Sequence, residues 1–143
     1  MQTDATYKPL WFVVFAWVMV MWNLLVATTF IMHFIAQPST AKLASGQEAL
    51  YQNEPWWSLL AFGVAGFAGL LGAGAMMLGK RWAMRCYMVS LIGVLVQQFY
   101  TFYLTDGLTE MGKAALAMPA FVLVLTLLQI GVASFGNIKR WLV

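Results

Sequence analysis

The sequence predicts an all-α polytopic membrane protein, a four-transmembrane-helix bundle with a short surface helix between helices 1 and 2. Three observations predict it. Of 143 residues, 62% are hydrophobic and only 9% charged, far more apolar surface than a water-soluble domain of this size can bury. The apolar residues fall in four long runs, at approximately 10–36, 56–79, 84–105 and 114–138, with charge only at their edges. About 20 such residues at ~1.5 Å each cover a ~30 Å hydrocarbon core. The basic residues are also unevenly shared between the two ends of these runs, as lipid topology requires. Spanning helices use most of the chain, so residues 1–143 form a single transmembrane domain.

Residues 1–8 are a short polar lead containing Asp4 and Lys8, followed by an uncharged run to about Ile35. That run is longer than the roughly 7–15 apolar residues of a signal peptide, so a retained first helix is expected. Pro38 disfavours helical geometry at Gln37 and marks its end. Between Pro38 and Glu54 lies the longest polar segment, in which Ser45 and Glu48 have capping-box spacing and Leu43, Leu50 and Tyr51 share a side. This pattern suits a helix lying along the membrane surface. Pro55 stands at or near the first turn of the second helix, where its missing N–H costs least. Trp56 and Trp57 suit the interface, with apolar rings and polar N–H groups.

The second helix carries Gly63, Gly66, Gly69, Gly72 and Gly74 among several alanines. In water each glycine would weaken it by about 1 kcal/mol relative to alanine. In lipid, helices associate through close backbone approach, and Ala65, Gly69 and Ala73 stand at small-xxx-small spacing. Ala61, Ala65, Ala68, Gly69 and Gly72 share one side while Gly63 and Gly66 fall outside it, so this helix is expected to meet neighbours on two faces. The third run begins at Cys86 and the fourth near Ala114, separated by Asp106–Lys113. Pro119 lies close enough to the start of the fourth to be tolerated.

Lys8, Lys80, Arg81, Arg85, Lys139 and Arg140 flank one side of the four spans, and Lys42 and Lys113 the other. Six against two predicts that both termini are cytoplasmic. The same placement accounts for the pI near 9.2 without nucleic acid. The second and fourth spans both end in Lys-Arg-Trp, a weak hint of a duplicated hairpin that positive-inside anchoring would also produce.

Candidate functional residues are the polar ones inside the spans. Asn23, Gln97 and Gln129 fall near mid-depth on the first, third and fourth helices, where their amides would form one polar layer. His33 lies nearer the outer surface on the face shared by Met19, Asn23, Val26 and Phe30. Cys86, Ser90, Gly93, Gln97 and Tyr100 cluster on the third helix, and Thr126, Gln129, Ala133 and Gly136 on the fourth. Uncharged amides suit a small neutral solute, and equally suit bonds between helices worth ~0.6 kcal/mol each. Trp17, Trp22, Phe30 and Phe99 are available to fill the interior, so a largely closed monomer is expected, with any sizeable pocket toward the outer side or between subunits. His33 has no second ligand for zinc or haem, and ten scattered methionines read as packing residues, so neither metal nor cofactor is expected. Cys86, the single cysteine, has no disulfide partner. With no carboxylate inside any span and no nucleophile–base pair, enzyme chemistry fits poorly.

The segments WNLLVATTFIMHF at Trp22–Phe34, YQNEPWWSLLAFGVAGFAGLLGAGAMMLGKRWA at Tyr51–Ala83, SLIGVLVQQF at Ser90–Phe99 and Met118–Pro119 resemble a family of small bacterial inner-membrane proteins often labelled "sugar transporter". The resemblance covers most of the chain and implies a four-helix membrane protein, but brings no catalytic or binding motif with it. The chain departs from the pattern at Gly79-Lys80-Arg81 and at Gln98, where an apolar residue is usual. Two functions therefore stand as expectations. One is a handler of a small neutral solute such as a sugar, oligomeric because four helices enclose little volume. The other is a non-transporting module that assembles with itself or a larger complex through its glycine-rich helix.

Overall fold

A computed structural model describes residues 7–35, 55–104 and 117–143. The described residues are helical, with no strand, in four elements: α1 (Leu10–Ile35), α2 (Trp56–Met77), α3 (Ala83–Phe99, continuing as a π-helical turn over Tyr100–Leu104) and α4 (Ala117–Ile138). All four are long and apolar enough to cross a membrane. The surface helix expected over 38–54 and the second loop at 106–113 lie outside the described residues, as do Lys42 and Lys113.

α2 is the spine of the bundle, packing on α3 along its length and on α1 over a second face, while α4 leans chiefly on α3. Its small residues make this geometry available. Gly63 and Gly66 face α1, where a side chain at Gly63 would run into the Phe30 ring at 2.9 Å and one at Gly66 would meet the Ala27 backbone at 3.5 Å. Gly72 faces α3, against the Tyr87 ring. The tightest approach to a neighbouring backbone belongs to Gly93 on α3, where a Cβ would come within 2.7 Å of the Ala61 carbonyl oxygen and 2.9 Å of the Ala65 nitrogen. At that point two backbones touch. Ala65 and Ala73 are likewise buried on α2.

The half of the bundle nearest the N-terminus of α1 holds the buried core. Phe12, Ala16, Met19, Ala73, Met76, Tyr87, Ala133 and Leu142 form one buried cluster drawn from all four helices and the segment after α4. Trp17 and Phe99, expected as interior fillers, instead face outward, 54% and 52% exposed. The fully buried large residues are Tyr87, Phe12, Met76 and Leu142. The reason is physical: a lipid tail is as apolar as a protein core, so nothing drives a large ring inward, and the helices are apolar all round.

At this same end, α2 stops in a Schellman motif. Gly79 takes φ 74, its N–H donates to the Met76 carbonyl and that of Lys80 to the Ala75 carbonyl at 2.8 Å. α4 stops in the same motif around Arg140, with φ 58; here Trp141 N–H donates to the Gly136 carbonyl at 2.9 Å. The two Lys-Arg-Trp triplets are therefore not equivalent. The left-handed residue precedes Lys80 in the first and is Arg140, one past Lys139, in the second, a two-residue offset that argues against a duplicated hairpin. The ends are then tied together: Val143 N–H donates to Gly79 O at 2.6 Å, Arg81 N–H to Val143 O at 3.2 Å, and Arg81 Nε to Leu142 O at 3.1 Å. Trp11, Phe12, Phe135 and Trp141 pack ring against ring beside this clasp.

Candidate functional site

The amides named from the sequence divide into a bonded pair and a separate residue. Asn23 on α1 and Gln129 on α4 are both buried, 5% and 2% exposed, and Asn23 Nδ2 donates to Gln129 Oε1 at 3.1 Å. The second Asn23 proton goes to the Met19 carbonyl one turn back, at 2.7 Å. Glycine at 69 is what lets Asn23 lie here, because a Cβ on Gly69 would occupy the position of Asn23 Oδ1 and stand 3.2 Å from Ser90 Oγ. Ser90, buried on α3, donates to the Ala65 carbonyl of α2 at 2.7 Å. Two hydrogen bonds thus join α1 to α4 and α2 to α3 at one level, with Gly69 between them. Gln97 is not part of this knot. It stands about two turns farther along α3, roughly 10 Å toward the opposite end, half-buried and with no hydrogen bond from its side-chain amide among the described residues.

Between the knot and Gln97 lies a cavity of about 190 Å³. Trp22, Asn23, Val26 and Thr29 of α1, Phe62 and Ala65 of α2, Ser90, Val94 and Gln97 of α3, and Met118, Val122, Thr126 and Gln129 of α4 line it. It belongs entirely to the half of the bundle away from the basic clasp, and its floor is the Asn23–Gln129 pair. The walls are mostly apolar. Of the hydroxyls, Thr29 Oγ1 donates to its own helix at Leu25 O and Thr126 Oγ1 to Val122 O at 2.8 Å, so neither offers a proton to the cavity. The amide protons still on offer are those of Gln97 and of Gln129 Nε2, which has no acceptor among the described residues.

His33 stands apart from the cavity, near the far end of α1, with its ring edge 6.2 Å between centroids from Phe62. Among the described residues no three His, Cys, Asp or Glu side chains gather as metal ligands would. The residues that line the cavity bring amides, hydroxyls, one indole and hydrocarbon, with no His, Cys or carboxylate among them.

No family model, curated protein or solved structure matches the chain. Its function must be argued from this geometry.

Two contributors escaped sequence reasoning. Gln98 donates its side-chain N–H to the Pro119 carbonyl at 2.8 Å, fastening α3 to the first turn of α4 at the rim of the cavity; its polarity in an apolar run was the available signal. The π-helical turn at Tyr100–Leu104 begins beside Gln97, whose carbonyl also accepts from Thr101 Oγ1 at 3.1 Å. Such turns recur at binding sites, but neither glycine nor proline marks this one.

Proposed function

We propose that this protein is a non-conducting, membrane-embedded binding module of the bacterial inner membrane, with the basic end in the cytoplasm and the cavity opening in the outer half. One observation carries the reading: Asn23 and Gln129 are bonded at mid-depth, and beneath them the described residues form a buried core drawn from all four helices. The Asn23–Gln129 bond, with Met19, Ala133, Tyr87 and Phe12 beneath it, lies across the route a transported solute would need and so supports binding over conduction. The excess of Lys and Arg at the clasp end supports the orientation. A sugar fits the cavity poorly, since each hydroxyl left without a partner costs about 1–3 kcal/mol and the walls supply few groups.

Reconstitution tests this. In proteoliposomes given a panel of neutral sugars and small alcohols, the protein should add no uptake over protein-free vesicles. Members of the panel that bind should raise its thermal stability, and Val122→Phe, which fills the cavity from α4, should abolish that rise. Saturable uptake that is lost in Gln129→Leu would replace binding with transport.

A further inference from the structure

We propose that the occupant of the cavity is a small amphiphile, with one hydrogen-bonding head and an apolar body, that reaches it sideways from the bilayer between α1 and α4. This rests on the binding reading above and adds to it a ligand class and a route.

The ligand class follows from what the walls offer. Trp22, Val26, Phe62, Val94 and Val122 surround most of the space with hydrocarbon and ring surface. Against this stand two amides with protons to give: Gln97, and Gln129, whose Oε1 is taken by Asn23 and whose Nε2 has no acceptor among the described residues. A ligand that supplies an acceptor there gains a hydrogen bond that one supplying only surface does not. A polyol would bring several groups to walls that answer one or two. Size agrees, because an apolar cavity of about 150 Å³ holds benzene, and this one, at about 190 Å³, takes a somewhat larger body.

The route follows from how the four seams are closed. α1–α2 and α2–α3 are sealed by glycine-mediated backbone approach. α3–α4 is fastened at the cavity rim by the Gln98–Pro119 hydrogen bond. α1 and α4 have few close backbone approaches, and at cavity level the ring contact across them is Trp22 edge-on to Phe121, with centroids 5.4 Å apart. Phe121 and Leu25 are 49% and 59% exposed toward lipid. An aromatic pair is worth about 0.5–1.5 kcal/mol, little enough for the two rings to part and admit a molecule dissolved in the acyl chains.

The test uses photolabelling of the intact protein in lipid nanodiscs with a diazirine-bearing 1-octanol and a matching diazirine-bearing octane. Octanol adducts should map to the segments holding Trp22 and Val122, and excess 1-octanol should suppress them where glucose does not. Gln97→Met, which keeps the volume and removes the amide, should weaken octanol about five- to tenfold, the loss of one hydrogen bond, while labelling by the octane probe reports that the cavity is intact. In a Cys86→Ala background, joining Trp22→Cys to Phe121→Cys with a short reducible linker should slow labelling, and reduction should restore it. Unchanged labelling after joining would overturn the lateral route. Sugars that bind and stabilise the protein while octanol leaves no adduct would overturn the amphiphile and leave the binding reading standing. No binding of either class would overturn both.

Discussion

Gly93→Ala should destabilise the bundle by about 1–3 kcal/mol, the cost of overpacking a filled contact, and Gly93→Leu should prevent α2 and α3 from pairing. The new Cβ would meet the Ala61 carbonyl oxygen at 2.7 Å and the Ala65 nitrogen at 2.9 Å. Both are backbone, so no rotamer change relieves the collision; a whole helix must move. Because α2 also holds α1, displacing it from α3 loosens most of the bundle. Gly131→Ala makes the matched control, since nothing lies within 4 Å of that position, and alanine there is expected to be neutral or to gain up to about 1 kcal/mol of helix propensity. Denaturation in mixed micelles would measure both. Equal stabilities for Gly93→Ala and Gly131→Ala would show that α2 and α3 are not in backbone contact.

Tyr87 carries the second large effect, and it divides by substitution. Its side chain is fully buried beside Gly72 and within the cluster of Phe12, Met76 and Leu142, so Tyr87→Ala should cost on the order of 3 kcal/mol through lost packing and an unfilled space. Yet its hydroxyl is buried without a hydrogen-bond partner. Tyr87→Phe therefore removes a desolvated polar group while keeping the ring, and should leave stability unchanged or raise it by about 1 kcal/mol. A fall on Tyr87→Phe, read in the same denaturation assay, would mean that the hydroxyl has a partner and the buried core is less dry than described.

Helix number and extent could be read from the sequence because bilayer thickness sets them and charge interrupts them. α1, α2 and α4 begin or end within a few residues of the apolar runs. The small and polar sides were readable too: the buried residues of α4 are Thr126, Gln129, Ala133 and Gly136, which share a side at helical spacing. Ser90 and Gly93 are buried on the matching side of α3. Depth was harder. Asn23, Gln97 and Gln129 all count to mid-membrane along their own helices, but only the relative shift of the helices decides which amides meet, and that shift is set by contacts such as Gly69 against Asn23 and Gly93 against Ala61. Large aromatic residues gave no inward signal, as Trp17 and Phe99 show, because core and lipid are equally apolar. The cavity itself was the least legible feature. It lies where α1 and α4 have few close backbone approaches, an arrangement of separate helices that no local pattern records.

In the proposed reading the bundle is open to its cavity from one side and closed beneath it. Thiol accessibility measures this directly. In a Cys86→Ala background, single cysteines at Gln97, Val122, Ala133 and Lys139 would be exposed to a membrane-impermeant maleimide from either side of oriented vesicles and, separately, to a membrane-permeant one. Lys139→Cys should react with the impermeant reagent from the cytoplasmic side alone. Gln97→Cys and Val122→Cys should react with the permeant reagent and never with the impermeant one from the cytoplasmic side, while Ala133→Cys, below the Asn23–Gln129 floor, should resist both. Reaction of Ala133→Cys with the impermeant reagent, or of Val122→Cys from the cytoplasmic side, would reveal a hydrated path through the bundle and contradict the closed floor.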